Sequence, residues 1–304
     1  MSPPEASYDR ALVHRVAGAL RRIGRHYFRA EVEGLHHLPA GGFLGVGTHN
    51  GSVMMPDMFL WFAHYYREHP HTPLYVLAHD LLSKGGALAR AAARLGAVRA
   101  EPSAAERLLA SGARVMVYPG GDFDAEKPFH ARHRVEFAGR TGYARVAVRA
   151  GVPICPVVSV GAHEGLFILT DGQRLARALG LPRRIRLQVF PFMLCLPWVV
   201  FWGPPPFYLP LPTQITIRAL PPVATHALPG EVEAETVARV DAEVRRVMQR
   251  ALDSMSHGRV PILGRLGRLG SAGRAAMIYR AVSFAARALA STMLSSMEQY
   301  VQPP

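Results

Sequence analysis

The sequence is poor in several features that commonly define a class of protein. It contains only two cysteines, Cys155 and Cys195, and each lies in an apolar run without the nearby histidine and cysteine partners of a zinc site. Its start, MSPPEASYDR, lacks the apolar core that follows a positive region in a secretory signal. We therefore expect buried thiols, no metal, and a location in the cytosol or on a membrane surface that faces it.

Lysine is also scarce, although the chain is strongly basic. Lys84 and Lys127 are the only lysines, whereas lysine and arginine together number 35 against 22 acidic residues, a net charge of +13. Guanidinium groups bind phosphates in bidentate geometry, so nucleic acid, anionic lipid and phosphorylated ligands are all open partners. Aromatic residues are not interleaved with the basic stretches and no reading motif occurs, which argues against nucleic acid.

Charge is absent altogether from Leu187 to Ile217, a length that would suit a transmembrane helix. Seven prolines interrupt this run, however, and each removes a helical hydrogen bond and clashes with the preceding turn. The sequence predicts instead short apolar pieces that line an acyl-chain groove or enter the lipid interface. A buried core hairpin is the alternative.

What the chain does contain is a regular alternation of apolar strands and helices. Strands are predicted at FLGVG, LYVLA, AVRA, RVMVYPGG, PICPVVSVG and QITIRAL, with helices between most of them. One of these helices is predicted to open at Ser103, in a capping-box pattern with Glu106, and to stop at Gly112. The alternation predicts an α/β fold with a mostly parallel central sheet flanked by helices.

Both ends of the chain are predicted to form basic amphipathic helices around a central domain. Residues 1–29 give the first helix, 30–255 the domain, and 256–304 a C-terminal segment with six arginines against one glutamate and a helix from Ser271. Such helices bind anionic membrane surfaces. Packing of their apolar stripes on the domain is the alternative.

The first candidate site is THNGSVMMPD, which follows a predicted strand. Its histidine, His49, suits general base catalysis if a carboxylate fixes the imidazole tautomer and stabilises the imidazolium. Asp57 closes the same loop and is the candidate partner.

The second candidate site is YPGGDFD, which also follows an apolar strand. Gly120 and Gly121 allow backbone N–H groups to approach an anion or oxyanion, and Asp124 offers a carboxylate for a hydroxyl or an arginine. Because parallel strands place their carboxyl ends at one edge of a sheet, both motifs are expected there.

The order of these motifs resembles the glycerolipid acyltransferase superfamily, in which a His and Asp motif precedes a Pro-Gly motif and a VPIxPV strand. Here they read THNGSVMMPD, YPGGDFD and VPICPV. The pattern is closest to the monoacylglycerol and diacylglycerol acyltransferase-like branch. The resemblance spans roughly residues 30 to 225 and rests on Pro119, Gly120, Gly121, Asp124, Arg140, Gly142, Tyr143, Val157, Gly161 and Glu164.

The resemblance implies an enzyme that moves a fatty acyl group from an acyl thioester, acyl-CoA, to the hydroxyl of a glycerolipid or related lipid alcohol. It implies no cofactor beyond acyl-CoA as co-substrate. The two basic amphipathic ends and the uncharged proline-rich run predict a peripheral or monotopic position on the cytoplasmic face of an anionic membrane. His49 would be the general base and Asp57 its partner. The substrate would be bound by Tyr118, Pro119, Gly120, Gly121, Asp124 and Arg140.

Two departures from the superfamily pattern affect this interpretation. Seven residues separate His49 from Asp57 where the common motif has four, and a glycine stands where the phosphate-acceptor branch has glutamate. The second change favours a neutral or differently headed lipid alcohol over lysophosphatidate. A non-catalytic lipid-binding relative is the alternative, whereas a serine hydrolase lacks support because no Gly-x-Ser-x-Gly elbow occurs.

Overall fold

The computed structural model describes residues 8–78, 86–184 and 188–265. Within these ranges the chain alternates strands and helices as predicted, and the bounds are as follows. The helices are α1 (Arg10–His26), α2 (Pro56–Glu68), α3 (Gly86–Arg94), α4 (Pro102–Ala110), α5 (Gly121–Ala125), α6 (Gly142–Ala150), α7 (Gln173–Ala178), α8 (Leu181–Arg184) and α9 (Glu233–Ser256). The strands are β1 (Glu31–Glu33), β2 (Phe43–Gly47), β3 (Leu74–Ala78), β4 (Ala97–Arg99), β5 (Arg114–Val117), β6 (Ile154–Val160), β7 (Phe167–Thr170), β8 (Phe192–Cys195), β9 (Val199–Trp202) and β10 (Thr216–Ala219).

Seven strands form the central sheet, in the order β1-β10-β6-β2-β5-β3-β4. The five strands from β6 to β4 are mutually parallel, whereas β10 runs antiparallel to β6 and parallel to β1. The fold is therefore α/β with a mostly parallel sheet, as the sequence predicts. Two hydrophobic clusters cover its two faces, one under α4, α6 and α9 and the other under α1 and α2.

The N-terminal helix α1 packs on the domain. Val13 and Ala17 are fully buried in the same cluster as α2, and Asp9 caps the helix by accepting a hydrogen bond from Leu12 N at 2.9 Å. Of the two interpretations of its apolar stripe, the structure shows packing. The predicted helix from Ser271 lies outside the described residues.

The capping box predicted at Ser103 and Glu106 is not formed. Helix α4 begins at Pro102, and its N-cap is Glu101, which makes no side-chain cap hydrogen bond. Proline is favoured in the first turn because its missing N–H has no helical partner there. The predicted stop is correct, since Gly112 follows the helix with φ +79°.

A second, smaller sheet with the order β7-β8-β9 is antiparallel, and its strands β8 and β9 come from the uncharged proline-rich run. Its inner face buries Ile168, Met193 and Cys195 in a cluster with Leu166 and Tyr208. One face of the β8–β9 hairpin is thus core, as the alternative predicts, and the other face is exposed. Contact of the run with an acyl chain or the lipid interface stays a prediction. In the described ranges, no helix has the length and apolarity needed to cross a bilayer.

Candidate active site

The candidate site lies where β6, β2 and β5 end. These strands are neighbours in the sheet and parallel, so the loops that follow them meet at one edge. The loop after β2 carries His49 and Asp57, the loop after β5 carries the Pro119-Gly120-Gly121 turn, and the loop after β6 carries residues 161–165. The sequence correctly predicts that both motifs share this edge.

His49 is anchored through its backbone. Its N–H donates to Asp124 Oδ2 at 2.6 Å, and its ring meets the Tyr118 ring edge-on with centroids 5.9 Å apart. The Nδ1 atom is buried and makes no hydrogen bond within the described part of the chain. Burial and the nearby Lys127 ammonium lower the pKa of His49 to about 4, so the imidazole is neutral at pH 7, the form a general base requires.

The predicted contact between Asp57 and His49 is wrong. The carboxylate of Asp57 instead accepts hydrogen bonds from three other groups. Asn50 Nδ2 donates to Oδ2 at 3.0 Å, and Ser159 Oγ donates to the same oxygen. The Met58 N–H donates to Oδ1 at 3.0 Å. Asp57 sits in the first turn of α2, which directs the carboxylate at Asn50 rather than at the imidazole. Asp57 therefore holds the residue next to His49.

Burial raises the pKa of Asp57 to about 6, although hydrogen bonds from Ser159 and Asn50 partly oppose this shift. The carboxylate is 4% exposed, and a buried carboxylate is retained in charged form only when its oxygens are hydrogen-bonded. Asn50 also contacts Thr48 Oγ1 and Ser159 Oγ, both at 3.0 Å. This cluster fixes the ends of β2 and β6 relative to α2.

Asp124, predicted to bind substrate, is completely buried and does not reach the surface. Besides the His49 N–H, its carboxylate accepts a 2.6 Å hydrogen bond from Lys127 Nζ. Lys127 is itself 3% exposed, so the pair is a buried salt bridge of the kind that loses stability sharply when one partner is removed. Asp124 thus positions His49, which corrects the prediction.

The Pro-Gly-Gly turn is braced by Arg140. Nη1 of Arg140 donates to the carbonyls of Pro119 and Gly120 at 3.1 and 2.8 Å, and Nη2 donates to Asp122 at 3.2 Å. The Gly121 N–H donates to the Tyr118 carbonyl at 3.3 Å. The contacts of Arg140 are therefore internal, and the structure shows it as a support of the turn.

His163, in the loop after β6, joins the three loops. Its Nδ1 accepts the Gly51 N–H at 3.3 Å, and its Nε2 lies 2.6 Å from the Lys127 carbonyl. These partners require the neutral tautomer with hydrogen on Nε2. Burial and Lys127 lower the pKa of His163 to about 3, so this tautomer persists throughout the neutral range.

Glu126 is a further buried acid at the site. It accepts a 2.6 Å hydrogen bond from Ser52 Oγ, and its other oxygen is buried and makes no hydrogen bond with any residue the structure describes. Burial raises the pKa of Glu126 to about 7, against the opposing hydrogen bond from Ser52. The acid is therefore partly protonated at neutral pH.

Sequence reasoning missed several residues of this network, chiefly Asn50, Glu126, Lys127, Ser159 and His163. One signal was available, because Lys127 is one of only two lysines in an arginine-rich chain. The others give no signal of their own, since a buried Ser or Asn acquires partners only through the approach of distant strands. Asp57 and Ser159, which are 102 positions apart in the sequence, illustrate this separation.

The fold and the site together define an α/β protein with a buried acid–base site at the carboxyl edge of its sheet. Residues 29–160 match the family model described as Acyltransferase. This match confirms the resemblance to the glycerolipid acyltransferase superfamily, whereas the monoacylglycerol and diacylglycerol acyltransferase-like branch stays a prediction.

Similar proteins occur in mycobacteria. An uncharacterized protein of Mycobacterium tuberculosis is 30% identical over 243 residues, which cover 79% of this chain and 65% of the relative. An uncharacterized protein of Mycobacterium leprae is 30% identical over 244 residues, covering 79% and 64% respectively. The chain thus spans a little under two thirds of the length of these relatives.

Among solved structures, the 1-acyl-sn-glycerophosphate (LPA) acyltransferase PlsC from Thermotoga maritima is similar, with a TM-score of 0.46 and 18% identity. The match covers 77% of this chain and 79% of that one.

Among the described side chains of our protein, no group of three or more His, Cys, Asp and Glu residues is arranged to hold a metal ion.

Proposed function

We propose that this protein is an acyltransferase that moves a fatty acyl group from an acyl thioester to the hydroxyl of a glycerolipid or related lipid alcohol. The family match over residues 29–160 supports the reaction class. The observation that carries the proposal is His49, which stands neutral at the carboxyl edge of the sheet because burial and Lys127 lower its pKa to about 4.

In the proposed step the His49 imidazole takes the proton of the acceptor hydroxyl as its oxygen attacks the thioester carbonyl carbon. The tetrahedral intermediate then collapses, the carbon–sulfur bond breaks, and the thiolate leaves with the proton that His49 had taken. No covalent enzyme intermediate is needed. General base catalysis of this kind contributes about 10²- to 10⁴-fold, so substrate positioning supplies much of the remaining rate enhancement.

The residues around His49 act as positioning residues in this mechanism. Asp124 fixes the His49 backbone at 2.6 Å, and Asp57 fixes the neighbouring Asn50. Since an imidazole displaced by about 1 Å loses about 10²-fold in rate, these buried anchors matter although they touch no substrate. Acyl-CoA is the proposed donor, and the glycine in place of the phosphate-branch glutamate favours a neutral acceptor.

The test is transfer of label from acyl-CoA to a panel of lipid alcohols by the full chain. We expect His49→Ala to reduce transfer at least about 10²-fold while circular dichroism and thermal unfolding stay close to those of the unmodified protein. His130→Ala is the matched control, because His130 is exposed on a short helical turn. Full activity of His49→Ala would overturn the assignment of the base.

A non-catalytic lipid-binding relative is the second candidate. One observation favours it: the direct His49–Asp57 pair is not formed, and His49 Nδ1 makes no hydrogen bond within the described residues. The same panel separates the two functions, because a lipid-binding relative retains labelled acyl-CoA or lipid without producing an ester. Turnover that depends on His49 excludes this candidate.

A further inference from the structure

The small sheet β7-β8-β9 presents an apolar face to the outside. Antiparallel sheets with one buried face ordinarily carry polar residues on the other. On β8 and β9 the strand positions that alternate with the buried ones are again apolar. Exposed fractions reach 39% for Leu194, 48% for Val200 and 55% for Trp202. Leu194 and Val200 lie directly opposite each other, as do Phe192 and Trp202, so these side chains form a continuous surface.

Aromatic side chains extend this surface into the neighbouring loops. Trp198 is 38% exposed and Phe207 is 53% exposed, and their rings lie 5.2 Å apart. The indole Nε1 of Trp198 donates to the Phe207 carbonyl at 2.7 Å. The aromatic rings are therefore held at the surface by a hydrogen bond, which distinguishes them from scattered exposed apolar residues.

Two contacts connect the small sheet and its neighbouring loops to the candidate active site. Tyr208, next to Phe207, donates from its hydroxyl to the Gly51 carbonyl at 2.7 Å, in the loop that carries His49. On the other side, the rings of Phe167 in β7 and Phe129 in the loop after β5 are 4.7 Å apart. A lipid chain at the surface would thus lie beside the loops that position His49.

The chemistry around the surface indicates what covers it. The connection between β7 and β8 forms α7 and α8, which present the exposed side chains of Arg174, Arg177 and Arg183 and contain no acidic residue. An apolar surface with aromatic rings and adjacent arginines complements a bilayer with anionic headgroups, since tryptophan favours the interface and arginine binds phosphates. Helix α1 offers no such surface because its apolar stripe is packed against α2.

We infer that the outer face of β8 and β9, with Trp198, Trp202 and Phe207, inserts into the surface of an anionic bilayer and presents the candidate active site to lipid. The lipid nature of the substrates in this inference rests on the proposed function. The binding itself is measured without turnover, so the two can fail separately.

Tryptophan fluorescence offers a direct test, because two of the three tryptophans lie on this surface and the third, Trp61, is 2% exposed in the core. Vesicles of equal parts phosphatidylcholine and phosphatidylglycerol are expected to shift the emission to shorter wavelength. Brominated phosphatidylcholine in these vesicles should quench it. In the Trp198→Phe/Trp202→Phe variant, Trp61 alone remains, and we expect neither effect.

Flotation with the same vesicles gives the energetic test. Val200→Ser/Trp202→Ser is expected to weaken binding about tenfold or more, because both side chains lose apolar burial. Leu88→Ser is the control, as Leu88 is 69% exposed on α3, away from the small sheet. Replacing Arg174, Arg177 and Arg183 by Gln should weaken binding at low salt and flatten its salt dependence.

The results of these experiments distinguish a bilayer from a second copy of the chain or another segment of the chain as the partner that covers the surface. His49→Ala is expected to bind vesicles normally while losing acyl transfer, and the serine variant should retain transfer between short-chain, water-soluble substrates. Vesicle binding unchanged in the serine variant would overturn the inference. So would a concentration-dependent dimer that the serine variant abolishes, or cross-links showing that residues 266–304 cover the face, because each assigns the surface to another occupant.

Discussion

At the scale of single residues, His49 combines an imidazole that can exchange a proton with a backbone that is fixed by a hydrogen bond. The Asp124 carboxylate holds its N–H, and the Lys127 ammonium that pairs with Asp124 also disfavours the imidazolium. The same salt bridge therefore fixes the position of the histidine and, after burial, contributes to keeping it neutral. This coupling explains why two buried charges persist beside an otherwise apolar sheet.

The pH dependence of acyl transfer follows from these shifts. Because the pKa of His49 falls from 6.5 to about 4, its base form is already complete at pH 6 and is lost only as the pH falls through about 4. We expect no histidine limb near pH 6.5 in kcat/KM for a soluble substrate. A limb near 6 would instead report protonation of Asp57, whose pKa is raised to about 6.

Ser159→Ala distinguishes these two groups. Ser159 lowers the pKa of Asp57 by hydrogen bonding, so its loss would move an Asp57 limb to higher pH and leave a His49 limb in place. The His49 proton can also be followed by NMR, with His49→Ala used to assign its resonance. An imidazole that titrates near 6.5 would contradict the environment described for His49.

At the scale of elements, the Pro-Gly-Gly turn joins β5 to the short helix α5 by close backbone packing. A Cβ on Gly120 would lie 2.2 Å from Asp124 Cβ and 2.4 Å from the Glu136 carbonyl oxygen. Neither neighbour is the free end of a flexible side chain. Glycine is therefore required at position 120 by the approach of Asp124 to His49.

Gly120→Ala is accordingly expected to lower both stability and transfer. Overpacking of this kind typically costs about 1–3 kcal/mol, and it displaces Asp124. Gly41→Ala is the control, since a Cβ there meets nothing within 4 Å. Urea unfolding and kcat measured on the same samples test this, and a Gly120→Ala protein with normal kcat would show that the position of Asp124 does not matter.

Strands β2, β5 and β6 were predictable from sequence because each is a short apolar run that ends in a glycine-containing loop, and their parallel order brought both motifs to one edge. The partner of Asp57 was not predictable. A loop of seven residues between His49 and Asp57 allows the carboxylate several directions, and the one adopted depends on Ser159 in β6. The sequence also did not predict which face of the β8–β9 hairpin is buried and which is exposed, because the residues of both faces are apolar.

At the scale of the whole molecule, the segment after α9 returns to the sheet and is fixed there by a buried ion pair. Arg259 donates from Nε and Nη2 to Glu164 at 3.0 and 3.1 Å, and the Ile262 N–H donates to the same carboxylate at 2.7 Å. Burial raises the pKa of Glu164, but the nearby His133 and the hydrogen bonds from Arg259 outweigh it and lower the pKa to about 2. The ion pair therefore holds the segment around residues 259–262 against the loop that carries His163.

Arg259→Met should therefore lower the free energy of unfolding by about 3–5 kcal/mol, because it leaves Glu164 charged and buried. Arg246→Met removes an exposed pair with Glu243 and is expected to change the free energy of unfolding much less, because water screens that pair. Since the lowered pKa of Glu164 stabilises the fold above pH 4.5 and is lost as the pH falls toward 2, the difference between the variants should shrink in acid. Equal stabilities at pH 7 would refute this role for the pair.

The reversed strand β10 has a consequence for how the protein is made. Strand β1 emerges early in synthesis, and among the strands that the structure describes it pairs only with β10, whereas β6 has β2 on one side and β10 on the other. Until Thr216–Ala219 leave the ribosome, β1 has no partner and the strand that carries Ser159 is an open edge. The apolar β8–β9 hairpin is translated within that interval, so nascent chains expose this apolar face before the central sheet can close.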